Sequence, residues 1–233
     1  MKTKILFGLG IALSIFFAAC KKENLLNEQY VEKQDPWEFL KDSISYSING
    51  ITYGAARYSS NDQWETLEPY SKIDSIVNNS YYIGGIKDSV LHTTCYNIYN
   101  DTLTVTVRFI KTYHKTRLLN GDFLRPEKFA KLFALGSRNY AIDFERDNTQ
   151  NGVAISINDG FKTYGSRSFM SPPQLSPDAQ KDSKFEIISI KKSSSGFCIL
   201  EAKFNATVFN WKNESKKLEN GYLRLNLGIL ERE

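Results

Sequence analysis

From Ser43 onward apolar side chains recur at every second position, and this period commits the chain to β-strands. Ile44, Tyr46 and Ile48 alternate with serines, Asn49-Gly50 follows, and Ile51-Thr52-Tyr53 continues. An Asn-Gly pair between alternating runs is the strongest short hairpin signal, because both turn positions need positive φ. Leu103, Val105, Val107 and Phe109 alternate with Thr102, Thr104, Thr106 and Arg108. That pattern predicts a strand with one buried and one wet face. Val153, Ile155 and Ile157 repeat it after Asn151-Gly152, and Phe185 and Ile187 do so more loosely. Phe204, Ala206 and Val208 precede a closing run of Leu223, Leu225 and Leu227. The SSSG run at 193–196 and the pair Asn220-Gly221 read as turns between the last strands.

One segment departs from this period. Between Pro126 and Gly136, Phe129, Leu132 and Phe133 fall on one helical face while Lys128 and Lys131 point elsewhere. Pro suits a first helical turn and Gly a helix end, so a short helix is expected over 126–135. The Pro-rich stretch 171–177 cannot be a central strand and reads as a loop. Many short strands with turn signals imply an all-β fold, an antiparallel β-sandwich or partly open barrel carrying that one short α-helix. We read 37–233 as a single β-rich domain.

The residues ahead of this body are of another kind. Met1-Lys2-Thr3-Lys4 is positive, 5–17 is apolar or small, and Ala18-Ala19-Cys20 follows. This is the plan of a secretory signal peptide, here 1–19. The apolar run of about 13 residues would reach roughly 20 Å as a helix, short of the ~30 Å hydrocarbon core. Phe17-Ala18-Ala19-Cys20 resembles the lipobox of bacterial lipoproteins, with Phe17 where leucine is commonest. The resemblance implies diacylglycerol on the Cys20 thiol, cleavage before Cys20 and acylation of the new amine. A single acyl chain holds only marginally at about 0.8 kcal/mol per methylene, whereas several chains hold lastingly. Residues 21–36 are polar and mixed in charge, so 20–36 reads as a lipidated cysteine and flexible tether. Lys21 is not the aspartate that marks inner-membrane retention in some bacteria, so an outer-membrane anchor is expected, on the periplasmic or cell-surface face.

Charge narrows the range of partners. Removing Lys2 and Lys4 from the 30 basic residues leaves 28 against 26 acidic ones. No basic block or helical stripe remains, which argues against nucleic acid. The two histidines, His92 and His114, sit at no ligand spacing with a cysteine, so neither metal nor cofactor is implied. Cys95 and Cys198 either form a disulfide, which an extracytoplasmic location permits, or are two buried thiols.

The second half carries a further resemblance. Phe129-Ala130-Lys131-Leu132-Phe133, the run 151–157 (NGVAISI), Ser183 to Ile187, the run 202–208 (AKFNATV) and the run 218–222 (LENGY) resemble uncharacterised lipoproteins of the Bacteroidota type. The likeness covers about residues 125–228 and rests on packing and turn patterns without a catalytic signature. It supports a β-rich lipoprotein and carries no activity with it. That lineage also implies O-glycans at Asp-Ser or Asp-Thr followed by an apolar residue, which points to Ser43, Ser75, Ser89 and Thr102. Asp-Ser is equally an ordinary strand-entry turn.

Motifs for chemistry are sparse. Nucleophile elbows, phosphate loops, zinc-protease helices and calcium loops do not occur. Asp143, Glu145 and Asp147 alternate and would share one strand face, as a cation site, an acid/base pair for glycan hydrolysis or, more simply, a solvated face. Trp64, within the polar run 59–68, is the candidate ring for stacking on a ligand. The sequence therefore points to a membrane-anchored module that binds a glycan or an envelope protein, or is purely structural. A glycan-acting hydrolase is the alternative. Catalytic residues and oligomeric state are not legible.

Overall fold

A computed structural model describes residues 36, 40–57, 70–72, 89–114, 132–158, 160–193 and 196–229. Cys20 and residues 21–35 of its tether, Trp64 and Ser75 lie outside the described residues. Among the described residues eleven strands make one sheet. They are β1 (Asp42–Ile48), β2 (Ile51–Arg57), β3 (Tyr70–Lys72), β4 (Ser89–Tyr99), β5 (Thr104–His114), β6 (Gly136–Arg138), β7 (Gly152–Ile157), β8 (Phe161–Lys162), β9 (Lys184–Lys192), β10 (Phe197–Phe209) and β11 (Ser215–Ile229). Every named strand pair is antiparallel, and the main path runs β2-β1-β11-β10-β8-β7-β5-β4-β3.

The alternating pattern becomes strands where it was expected. Asn49 and Gly50, at φ 51° and 78°, close the β1–β2 hairpin with Ile48 opposite Ile51. Gly152 opens β7 at φ 148°, and a Cβ there would lie 2.0 Å from the Asn139 carbonyl oxygen. That carbonyl accepts the Val153 N–H at 2.8 Å, so only glycine lets the two backbones approach.

The sheet forks at β10. Cys198 to Asn205 pair with β9, whereas Phe209 reaches Lys162 of β8. β9 in turn pairs with the short β6. The fork and the twist curl the sheet into a half-barrel whose concave face is aromatic. Phe109 of β5 meets Phe185 of β9 edge-on at 5.9 Å between ring centroids, although these strands are not neighbours. Phe133 lies 5.1 Å from Phe109, and Phe204 stacks on Phe185 at 6.1 Å. Each such pair adds about 0.5–1.5 kcal/mol beyond the area it buries. Tyr140 joins this cluster and donates its hydroxyl to the Asn205 carbonyl at 2.8 Å.

Three expectations need correction. The outer face of β5 is wet only in part: Thr104 is exposed and Arg108 half-buried, but Thr106 and Ile110 are buried. Ala141, Phe144 and Tyr164, from the segments that follow β6 and β8, pack there with Leu91, Ile110 and Ala154 in a second apolar cluster. Of the helix expected over 126–135, residues 126–131 lie outside the described residues. Its described end, Leu132-Phe133, is a 3₁₀ turn, and Gly136 begins β6. Asn220-Gly221 is not a turn but lies inside β11, while the β10–β11 hairpin turns at 210–214 with Asn213 at φ 64°. A bulge needs the same positive φ as a turn, so the local signal cannot separate them.

Candidate functional site

The displaced Asn220-Gly221 pair builds the main surface feature. Phe204 pairs with Gly221 and Ala206 with Leu218, so β11 holds one extra residue, with Glu219 and Asn220 opposite Asn205. On its other side β11 also shifts register against β1, between Ser45 and Ser47. Asn220 takes the strain with φ 52°. Gly221 lets the Phe204 ring come close, since a Cβ there would sit 2.6 Å from two ring carbons. The bulge thus bends β11 over a buried ring and opens a concavity of about 480 Å³.

Three strands line this groove, which is shallow and open to solvent. From β9 come Lys184 and Glu186, paired Nζ to Oε2 at 2.6 Å. From β10 come Lys203 and Asn205, and from β11 come Asn220 and Tyr222. Lys203 stands directly between Glu186 and Tyr222 in the ladder, and no carboxylate among the described residues ion-pairs with it. Asn205 accepts the Lys184 backbone N–H through Oδ1, which leaves its Nδ2 as a donor.

Tyr222 is held in place. Its hydroxyl donates to Glu201 Oε1 at 2.6 Å. Burial and the neighbouring Glu201 carboxylate push the phenol up to about 12. The same hydrogen bond holds the Glu201 carboxyl below the usual carboxylate range, helped by Lys191 at 3.8 Å. The phenol therefore stays protonated at neutral pH, and the ring is a fixed plane beside Lys203.

The acidic trio predicted to share a strand face does not. Residues 142–147 form turns, and each carboxylate is committed elsewhere. Asp143 accepts Thr149 N–H at 2.7 Å and Thr149 Oγ1 at 2.6 Å through Oδ2, and Gln150 N–H at 3.2 Å through Oδ1. Glu145, at φ 62°, meets Lys162 Nζ at 3.4 Å and accepts the Tyr164 hydroxyl at 3.4 Å. Asp147 pairs with Arg167 at 2.9 Å. The cause is the reach of the Asp143 side chain to backbone six and seven residues on, which closes a loop in place of a strand. Among the described residues no group of three His, Cys, Asp or Glu side chains is arranged to hold a metal ion.

The remaining sequence candidates are scattered. Cys95 and Cys198 are both free of disulfide. Cys198 packs in the aromatic core, whereas Cys95 lies opposite Arg108 on the other face of the sheet, where burial pushes its thiol up. Ser43 is half-buried in β1 between Ala56 and Arg224, and Ser89 begins β4. Thr102 sits on an exposed turn, its N–H and hydroxyl both directed to Asn100 Oδ1 at 3.0 and 3.2 Å. Trp211, half exposed at the β10–β11 turn with Lys212 Nζ 5.1 Å from its ring centroid, is an exposed aromatic outside the sequence candidates. Its signal was the Asn-Trp-Lys-Asn turn composition at 210–213.

No family model matches the chain, and neither curated proteins nor solved structures show a match to it.

Proposed function

We propose that this protein is a lipid-anchored extracytoplasmic module that binds rather than transforms its ligand, held at the outer membrane through Cys20. The anchor rests on the Lys2 to Cys20 pattern and the polar tether behind it. The binding reading rests on one observation, the open groove over the Asn220-Gly221 bulge with its lysine, glutamate and asparagine side chains. Its lining has donors from three strands whose backbones fix them against one another. Glycoside hydrolysis needs two carboxyl groups facing one cleft, roughly 5–10 Å apart. The single carboxylate in this lining, Glu186, is already paired with Lys184. That favours the binding module over the hydrolase.

The anchor is tested by labelling. Wild-type protein expressed with a radiolabelled or alkyne fatty acid should take up label and fractionate with membranes, while Cys20→Ser should do neither. Unlabelled wild type, or a mutant that still fractionates with membranes, would overturn the reading.

A further inference from the structure

We infer that the groove over the β11 bulge is a subsite for a carboxylate-bearing saccharide, an inference that rests on the binding-module reading. The groove is open, and charged and amide side chains reach into it beside the Tyr222 ring, which suits an extended hydrophilic chain laid across the strands better than an enclosed molecule. Its volume of about 480 Å³ falls within the range of ligand sites, ~300–1,000 Å³.

Each wall then supplies one element of recognition. Lys203 carries a positive charge that no carboxylate among the described residues neutralises, at the middle of the ladder between Glu186 and Tyr222. An ammonium on a flexible stem is a point charge suited to a carboxylate. Asn205 and Asn220 project amides from the two sides of the bulge; with its Oδ1 taken by the Lys184 N–H, Asn205 offers its Nδ2 as a donor to a sugar hydroxyl, and Asn220 offers both donor and acceptor. Tyr222 offers a ring face with its hydroxyl tied to Glu201, so it need not be ordered on binding. Glu186 biases the groove against a polyanion of high charge density, because it would face one acid while Lys203 holds another. One charge per ring, spaced by hydroxyls, fits this alternation; an acidic peptide meets the amides only with backbone N–H and C=O groups and has no vicinal hydroxyls to offer.

The test is titration calorimetry on the full mature chain with trigalacturonate, cellotriose and triglutamate as probes, at low and at 0.5 M NaCl. Trigalacturonate should bind, weaken at high salt, and lose at least tenfold in affinity in Lys203→Gln and in Tyr222→Leu. Lys111→Gln, on β5 and outside the groove lining, should bind as wild type does. Near-ultraviolet circular dichroism of each variant guards against misfolding, and Asn220→Asp, which keeps a side chain tolerant of positive φ, supplies a second groove variant. Its added negative charge should also weaken trigalacturonate. Cellotriose bound as tightly as trigalacturonate, with Lys203→Gln silent, would overturn the carboxylate while leaving a binding module. Triglutamate bound equally well would overturn the saccharide. No heat with any of the three would overturn the subsite, whereas the anchor stands or falls on fatty-acid labelling alone.

Discussion

Asn100 donates from Nδ2 to the Gly54 carbonyl at 2.9 Å, joining the β4–β5 turn to the edge strand β2. These strands stand near opposite ends of the sheet order, so the bond marks how far the sheet has curled. It also covers a carbonyl that would otherwise be open on a strand edge. The Asn100 Oδ1 meanwhile accepts the Leu103 N–H at 2.8 Å. Asn100→Asp keeps the acceptor and removes the donor, and should cost about 1 kcal/mol; Asn100→Ala loses both and should cost about 2 kcal/mol. Urea midpoints at unchanged m-value check this. Equal losses would mean that the turn bonds carry no weight, and an unaffected Asn100→Asp that the link is idle.

His92 makes stability depend on pH. Its Nε2 lies 3.2 Å from Thr94 Oγ1, and the Tyr113 ring stands edge-on at 6.2 Å. Burial pushes the imidazole down to about 4. An unfolded histidine titrates near ~6.5. Between these values the unfolded chain takes up a proton that the folded chain refuses. Stability is therefore full above pH ~6.5, declines as pH falls, and levels off below the folded value, for a loss of at most ~3 kcal/mol. His92→Gln should flatten the profile in that window when thermal midpoints are compared from pH 7.5 to 4.

Gly221 couples the groove to the core. A Cβ there would sit 2.5 Å from the Phe204 carbonyl oxygen and 2.6 Å from its ring. Gly221→Ala should displace the ring from Phe185 and cost about 1–3 kcal/mol, the usual range for overpacking. Denaturant unfolding measures the loss. A variant as stable as wild type would mean that β11 slides at the bulge at no cost.

Asp143 is structural. Asp143→Ala strips three acceptor contacts from the 149–150 backbone and the Thr149 hydroxyl, and should cost about 1–3 kcal/mol. Millimolar Ca²⁺ should not move the melting temperature of the wild type. A rise of several degrees on adding Ca²⁺ would restore the cation-site reading of these carboxylates.

Several features were legible from neighbouring residues alone. Ile44, Tyr46 and Ile48, then Asn49-Gly50, specified a hairpin because side-chain alternation and positive φ are demands met within a few residues. The likeness of Phe17-Ala18-Ala19-Cys20 to a lipobox is likewise local, resting on four neighbouring residues. For Trp211 the Asn-Trp-Lys-Asn run marks the turn, but composition alone does not say that the ring on it stays exposed.

What neighbouring residues left open was decided at long range. Asn49-Gly50 and Asn220-Gly221 have the same composition, yet the first is left-handed at both residues and turns the chain, whereas the second is left-handed at Asn220 alone and bulges a strand. Only the partners distinguish them, since β11 is flanked on both sides by β1 and β10 whereas nothing continues past Asn49-Gly50 but its own return strand. The groove exists only after that choice, because its side chains come from residues 184–186, 203–205 and 220–222 and meet through strand register. The sequence by itself determined the β-class, the first hairpin and the lipobox-like start, all set by short-range sterics and patterning. The tertiary structure alone decided which face of β5 is covered, where the carboxylates point and where a ligand can lie, because those depend on backbone pairing between segments far apart in the chain.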